Sequence, residues 1–158
     1  MAGELDGLFA SHERWMAEAL KEARAAAAAG DVPIGAVVVR EGRVIGRGHN
    51  QVEQLQDPTA HAEILAIGAA AGDGESWRLD DATLYVTLEP CTMCCGAILL
   101  ARVPRLVYGA ADPRAGAVVS TARLLDGNPY RHAMETVGGI AAEACGGLLQ
   151  EFFRARRG

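Results

Sequence analysis

The chain has 158 residues, half of them hydrophobic and 22% charged, enough apolar material for one packed domain and too much for global disorder. Fifteen Lys and Arg face twenty Asp and Glu, a formal charge of -5, which excludes a strongly basic coat for nucleic acid but leaves room for a local nucleic-acid site. No apolar run approaches the roughly 18 residues of a membrane span, and the acidic start MAGELDGLF is unlike a secretory signal, so no membrane association, reduced thiols and a cytoplasmic location are expected.

Residues 8–29 lack Pro and Gly and are dense in Ala, Glu, Arg and Leu. Leu8, Trp15, Ala19 and Ala23 can share one broad helical face, and Gly30 is a suitable stop. Ile34 to Val39 read as a short apolar strand, Glu41–Gly42 as a turn, and Arg43 to His49 as the returning strand of an edge hairpin. A polar loop follows over 50–60, and Thr59 is the expected cap of a helix from about His61 to Ala71. Gly72–Asp73–Gly74 breaks it. Ala82 to Thr87 form a third strand. Pro90 fits the first turn of a helix running to about Ala101. Arg105 to Tyr108 form a fourth strand, and a loop covers 109–117. A short helix is expected over 120–126, a turn at Asn128–Pro129, a short strand near 134–137, and a C-terminal helix over about 139–156. No boundary divides the chain, so a single domain over 1–158 is expected. The strand and helix alternation favours a mixed sheet with helices on both faces.

The charge is uneven. Residues 1–100 carry 7 basic and 15 acidic groups, and residues 101–158 carry 8 basic and 5 acidic groups. The second half is therefore cationic, either as ordinary surface charge or as a patch facing a polyanion.

The chemical signal lies in two short segments. His61–Ala62–Glu63 precedes Pro90–Cys91–Thr92–Met93–Cys94, which matches the zinc-deaminase pattern H-x-E followed by P-C-x-x-C. Two thiolates and an imidazole give zinc three protein ligands and leave a fourth position open for water. Cys91 and Cys94 stand three apart at a helix start, where side chains converge and the helix terminus favours thiolate. His61 comes from a second helix. Glu63 is left off the metal as a proton shuttle: it takes a proton from the attacking water, returns it to the ring, and protonates the departing amine. The competing uses of Cys91 and Cys94 are a redox pair or a closed structural zinc site. Cys95 and Cys145 are expected to be core residues, and His12, His49 and His132 are poor ligand candidates.

At these motifs the chain resembles the bacterial tRNA-specific adenosine deaminases of the cytidine-deaminase-like superfamily. The matching runs are Asp57 to Ile64, Asp81 to Cys94 with Gly96–Ala97, Val44 to Asn50, Tyr108 to Ala110, Asp112 to Ala117, Val137 to Gly139 and Phe152 to Arg157. The resemblance implies a three-layer α/β/α fold around a five-stranded mixed sheet, one Zn2+ per subunit, a homodimer, and conversion of adenosine to inosine at the wobble position of a tRNA anticodon stem-loop. It also implies that His61, Cys91 and Cys94 hold the zinc and Glu63 moves the protons. Asn50, Asp112, His132 and Phe153 match substrate-binding positions. Three of them have a plainer use: Asn50 as a turn residue, Asp112 as a turn cap, Phe153 as a buried aromatic. Arg154, Arg156 and Arg157 are either phosphate contacts or a frayed cationic tail. Val118–Val119–Ser120 and the block 126–135 depart from the common pattern. The alternatives are deamination of a free base such as guanine or cytosine, and a nonenzymatic structural-zinc or RNA-binding module.

Overall fold

Alternation along the strands decides which layer each side chain joins. In β1 (Gly35–Arg40), Ala36 and Val38 pack to one side of the sheet while Val37 and Val39 pack to the other. Both sides are covered, so the strand reads as a continuous apolar run. The computed structural model describes residues 2–74 and 76–157. Among them, β2 (Arg43–His49), β1, β3 (Thr83–Leu88), β4 (Arg105–Ala110) and β5 (Glu135–Val137) form one sheet in the order β2-β1-β3-β4-β5. β1 is antiparallel to both β2 and β3, whereas β3, β4 and β5 run parallel. The expected edge hairpin and mixed sheet are present.

One face of the sheet meets α1 (Ala2–Ala28) and α5 (Ala142–Arg157) through Trp15, Met16, Ala19, Leu20 and Cys145, with Ile140 just before α5 in the same cluster. The opposite face meets α3 (Ala62–Asp73) and α4 (Thr92–Ala101) through Ala62, Ala66, Ala70, Cys95 and Ile98. Cys95 and Cys145 are both buried, as expected of core residues. The side chain of Leu8 lies outside the described residues. α3 rides close on the sheet because Gly46 and Gly48 of β2 lack side chains. A Cβ on Gly46 would strike the Ala66 carbonyl, and one on Gly48 the Ala62 carbonyl.

Several local expectations need correction. α1 begins at Ala2 rather than Leu8, although Gly30, at φ +87°, ends it in the left-handed conformation as anticipated. The loop 50–60 contains a one-turn helix, α2 (Val52–Leu55). Its first N–H bonds to Asn50 Oδ1, and the next two to the buried carboxylate of Asp31. Thr59 does not cap α3: its N–H and hydroxyl both serve Asp57 Oδ1, and His61 occupies the cap position. Pro90 precedes α4, whose cap is Cys91. The segment 120–126 is a series of turns. Its N–H groups at Ser120, Thr121 and Leu124 go to Glu89, the Gly116 carbonyl and the Ala117 carbonyl instead of building a helix. α5 starts at Ala142, three residues late, because Gly139 and Ala141 both take positive φ.

Candidate active site

The strand directions bring four chain segments to one rim of the sheet. β3 and β4 end there, with Leu88 paired to Ala110; β2 ends there, with His49 paired to Gly35 at the start of β1. Ligands in α/β sheets bind in the crevice beyond the carboxyl ends of the strands. α3 and α4 also begin at this rim, with His61 and Cys91 as their cap residues. Both helix termini therefore direct unpaired N–H groups and positive partial charge at the same place.

A cavity of about 120 Å³ sits here, lined by Asn50, His61, Glu63, Glu89, Cys91 and Asp112 among others. That is small beside the ~300–1,000 Å³ of pockets that enclose a drug-sized ligand. It suits one flat ring rather than a whole nucleotide.

His61, Cys91 and Cys94 converge at its floor. Their ligand atoms all lie within 4.8 Å of one another. His61 Nδ1 is 3.6 Å from Cys91 Sγ and 3.5 Å from Cys94 Sγ. A tetrahedral zinc with Zn–S of ~2.3 Å and Zn–N of ~2.0–2.1 Å holds sulfur and nitrogen about 3.5 Å apart, so these three donors fit the ion by both chemistry and spacing. Hydrogen bonds from Cys94 and then His61 draw the Cys91 thiol down to about 3 against the effect of burial. The contact with Cys91, followed by burial, pushes Cys94 up. The bond to Cys91 raises His61. A divalent cation in this space would take the place of the shared protons and release them.

Glu63, on the first turn of α3, is 4% exposed. Burial raises its pKa, which brings a carboxyl closer to the range where it exchanges protons at neutral pH. Asn50 is also buried in the pocket wall. Its Oδ1 accepts the Val52 N–H, which fixes the amide orientation and leaves Nδ2 as the donor for a ligand.

Asp112 lines the pocket, and its Oδ1 caps a turn by accepting the N–H groups of Arg114 and Ala115. The pocket opens onto a groove of about 770 Å³ that shares Leu88, Asp112 and Ala115 with it and reaches Phe153 on α5. Phe153 is 45% exposed, so the alternative of a buried aromatic does not hold. A further concavity of about 700 Å³ continues past Arg114, Arg154, Arg156 and Arg157. Arg156 also donates to the Gly30 carbonyl and lies over the Phe152 ring, so the end of α5 is tied to the end of α1.

His132 is not brought to this rim. Its Nε2 lies 2.9 Å from the Val103 carbonyl, and its backbone is held by Asn128. That places it before the start of β4, at the opposite end of the strand from Ala110. Within one chain His132 therefore stands apart from the pocket residues, its ring closing the 125–134 loop against the sheet. His12 and His49 are likewise engaged elsewhere, with Tyr85 and Glu22.

One important residue carried no assignment from the sequence. Glu89, 2% exposed, accepts backbone N–H groups of Asp112, Val118, Val119 and Ser120 and the Ser120 hydroxyl. Burial would raise its pKa, but the Ser120 hydroxyl and the backbone donors outweigh it and bring the carboxyl to about 2. The only signal was an acidic residue between an apolar strand and Pro90, which pattern alone cannot pair with a loop some thirty residues downstream.

A mixed sheet in this order, with a His at one helix start and Cys-x-x-Cys at the next, defines a deaminase of the cytidine-deaminase-like class. Residues 10–157 match the family model of the MafB19-like deaminases. The tRNA-specific adenosine deaminase of Bacillus subtilis (strain 168) is 49% identical over 145 residues, covering 92% of this chain and 90% of that protein. The chain belongs to the tRNA-specific adenosine deaminase family. A solved structure from work on A-to-I editing by tRNA:A34 deaminases matches with a TM-score of 0.82 at 48% identity, over 86% of this chain and 99% of that one. A guanine deaminase from Nitrosomonas europaea matches with a TM-score of 0.76 at 26% identity, over 89% and 83% of the two chains.

Proposed function

We propose that this enzyme hydrolytically deaminates adenosine to inosine at the wobble position of a tRNA anticodon stem-loop. The observation that carries the reading is the continuity between a ring-sized pocket and a long groove lined by Asp112, Arg114, Phe153 and the C-terminal arginines. A free base needs the pocket alone. A nucleotide within RNA needs the pocket for its base and the groove for its neighbours. The match to a tRNA-specific relative, 49% identical over 92% of this chain, against 26% over 89% for the Nitrosomonas europaea guanine deaminase and 42% over only 63% for a Bacillus subtilis guanine deaminase, supports the same choice.

His61, Cys91 and Cys94 hold one Zn2+ per chain. Zinc, when bound, supplies the polarisation that makes water nucleophilic near neutral pH. Glu63 accepts a proton from the attacking water and delivers it to the ring nitrogen beside the amine-bearing carbon. It then carries the second proton to the exocyclic amine. The carbon–nitrogen bond breaks, ammonia leaves, and the water oxygen becomes the new carbonyl. Burial assists because a carboxyl with a raised pKa parts with its proton and regains it at modest cost. Asn50 donates through Nδ2 to an acceptor on the purine or ribose. Asp112 offers its remaining carboxylate oxygen to a flanking nucleotide, and Phe153 offers a ring for stacking. His132 is assigned no substrate contact in the site of its own chain.

One deaminase domain spans residues 1–158, and the protein works in the cytoplasm as a homodimer. No helix among the described residues is long and apolar enough to cross a membrane. The dimer reading is supported by the outer face of α4, where Leu100 is 56% exposed beside Ala97 and Gly96. Light scattering should give twice the chain mass of 16.6 kDa, and the chain mass itself would sink the dimer.

The substrate test gives one purified enzyme equal concentrations of an anticodon stem-loop with adenosine at the wobble position, free adenosine, cytosine and guanine. Inosine should form in the RNA far faster than any free product. Efficient guanine turnover with no RNA product would overturn the reading.

A further inference from the structure

We propose that Glu89 is a positioning residue for the RNA substrate: its buried carboxylate clamps the 112–120 loop and so sets the outer wall of the pocket. This inference rests on the reading of the pocket and groove as the RNA site.

The loop buries Ala117 and Val118 in the core, but no regular element holds its backbone. Between β4 and β5 there is no helix or strand among the described residues, so the chain from 111 to 134 depends on turns and on what lies beneath it. Glu89 lies beneath it. Oε1 accepts the Asp112 N–H at 3.1 Å and the Ser120 hydroxyl. Oε2 accepts the N–H groups of Val118, Val119 and Ser120 at 3.1, 3.0 and 3.0 Å. The first and last residues of the segment are thus tied to one side chain. The Ala117 N–H adds a bond to the Pro90 carbonyl, next to Glu89 in the chain.

Among the described residues, no Arg, Lys or His forms an ion pair with Glu89; the cradle is made of N–H dipoles and one hydroxyl. A buried carboxylate is stable in such a cradle only while its donors stay in place. The coupling therefore runs both ways: the loop holds the charge and the charge holds the loop. Gly116 shows how tight the fit is, since a Cβ there would run into the Glu89 carboxylate.

The consequence falls on substrate, since Asp112 and Ala115 lie within the clamped span and face both the pocket and the groove. With both oxygens occupied by loop donors, Glu89 is poorly placed to shuttle protons, which leaves that role to Glu63. Glu89 takes backbone groups, which any residue at 118 and 119 supplies.

The experiment compares zinc-loaded wild type with E89Q, S120A and G116A. Three things are measured: bound zinc, kcat and KM on the stem-loop, and hydrogen exchange of the 112–120 amides without substrate. In E89Q, a terminal NH2 replaces one acceptor facing backbone donors. Loss of charge-assisted bonds on this scale should raise KM roughly tenfold or more, with kcat within about threefold of wild type and zinc unchanged. Exchange at Val118, Val119 and Ser120 should accelerate. S120A, which loses one bond and keeps the charge, should show the same split more weakly. G116A, which displaces the carboxylate from the other side, should match E89Q, and the double variant should be no worse than E89Q alone. Unchanged KM and unchanged loop exchange in all three would overturn the proposal. So would a fall in kcat together with zinc loss in S120A and G116A, which would make Glu89 a support for the metal site. If wild type leaves the stem-loop untouched, the RNA reading fails, and the exchange data still decide whether the clamp exists.

Discussion

The pocket floor and the outer groove are neighbours with opposite construction. The floor is made of residues at the first turns of α3 and α4: Glu63 and Cys94 are buried, and the three ligand atoms are held by the strands on which those helices rest. The groove is made of a turn-rich loop and the last turns of α5, with Phe153 exposed and Arg114, Arg154 and Arg157 outside any ion pair found among the described residues. Bond-making chemistry needs atoms placed within tenths of an ångström, which packed helix starts provide. Recognition of a flexible polyanion needs accessible charge and aromatic surface, which a packed core cannot offer. Variants in the two regions should therefore fail in different ways.

The largest effect is expected at the metal ligands. H61A, C91S and C94S should each lose most bound zinc and bring deamination close to background, as read by metal analysis and inosine formation on the same samples. Full zinc occupancy in all three would defeat the ligand assignment.

E63A separates chemistry from metal binding. Turnover should fall by about 10²–10⁴-fold, the usual worth of general acid–base catalysis, while zinc stays near one per chain. Near-normal turnover at full occupancy would remove Glu63 from the proton path.

In the groove, F153A should weaken stem-loop binding by about 1–3 kcal/mol, the worth of one stacked base, while kcat and zinc hold. R114A combined with R154A should weaken binding further at low salt and flatten its dependence on salt, because two phosphate-facing cations no longer displace counterions. Affinity measured at several salt concentrations decides whether these arginines face RNA.

The effect confined to acid pH concerns the Glu89 clamp. Its folded pKa of about 2 lies below the usual 4.5, so the ionised form favours the folded state. That stability is fully present above pH 4.5 and is lost as pH falls through 2, by linkage. Its size is at most about 3 kcal/mol. Urea midpoints of wild type and E89Q should therefore differ at pH 7 and converge as pH drops from 4.5 to 3. A constant difference across that range would show that the carboxylate charge is not what stabilises the loop.

The sequence alone was sufficient wherever the physics is local. That His61, Cys91 and Cys94 come together with Glu63 beside them was legible because the motif's spacing places each at a helix start, and β1, β3 and β4 were legible from their short apolar runs. Gly30 ended α1 for a reason contained in the residue itself. Tertiary structure decided what depends on a partner far along the chain. α2 exists because Asp31 reaches Glu53 and Gln54. The turns at 118–120 face Glu89, which takes their N–H groups from thirty residues upstream. His132 lies at the far end of β4 because its ring finds the Val103 carbonyl. In each case a backbone or side-chain polar group had two possible partners, one local and one distant, and the distant one was invisible until the sheet brought it near.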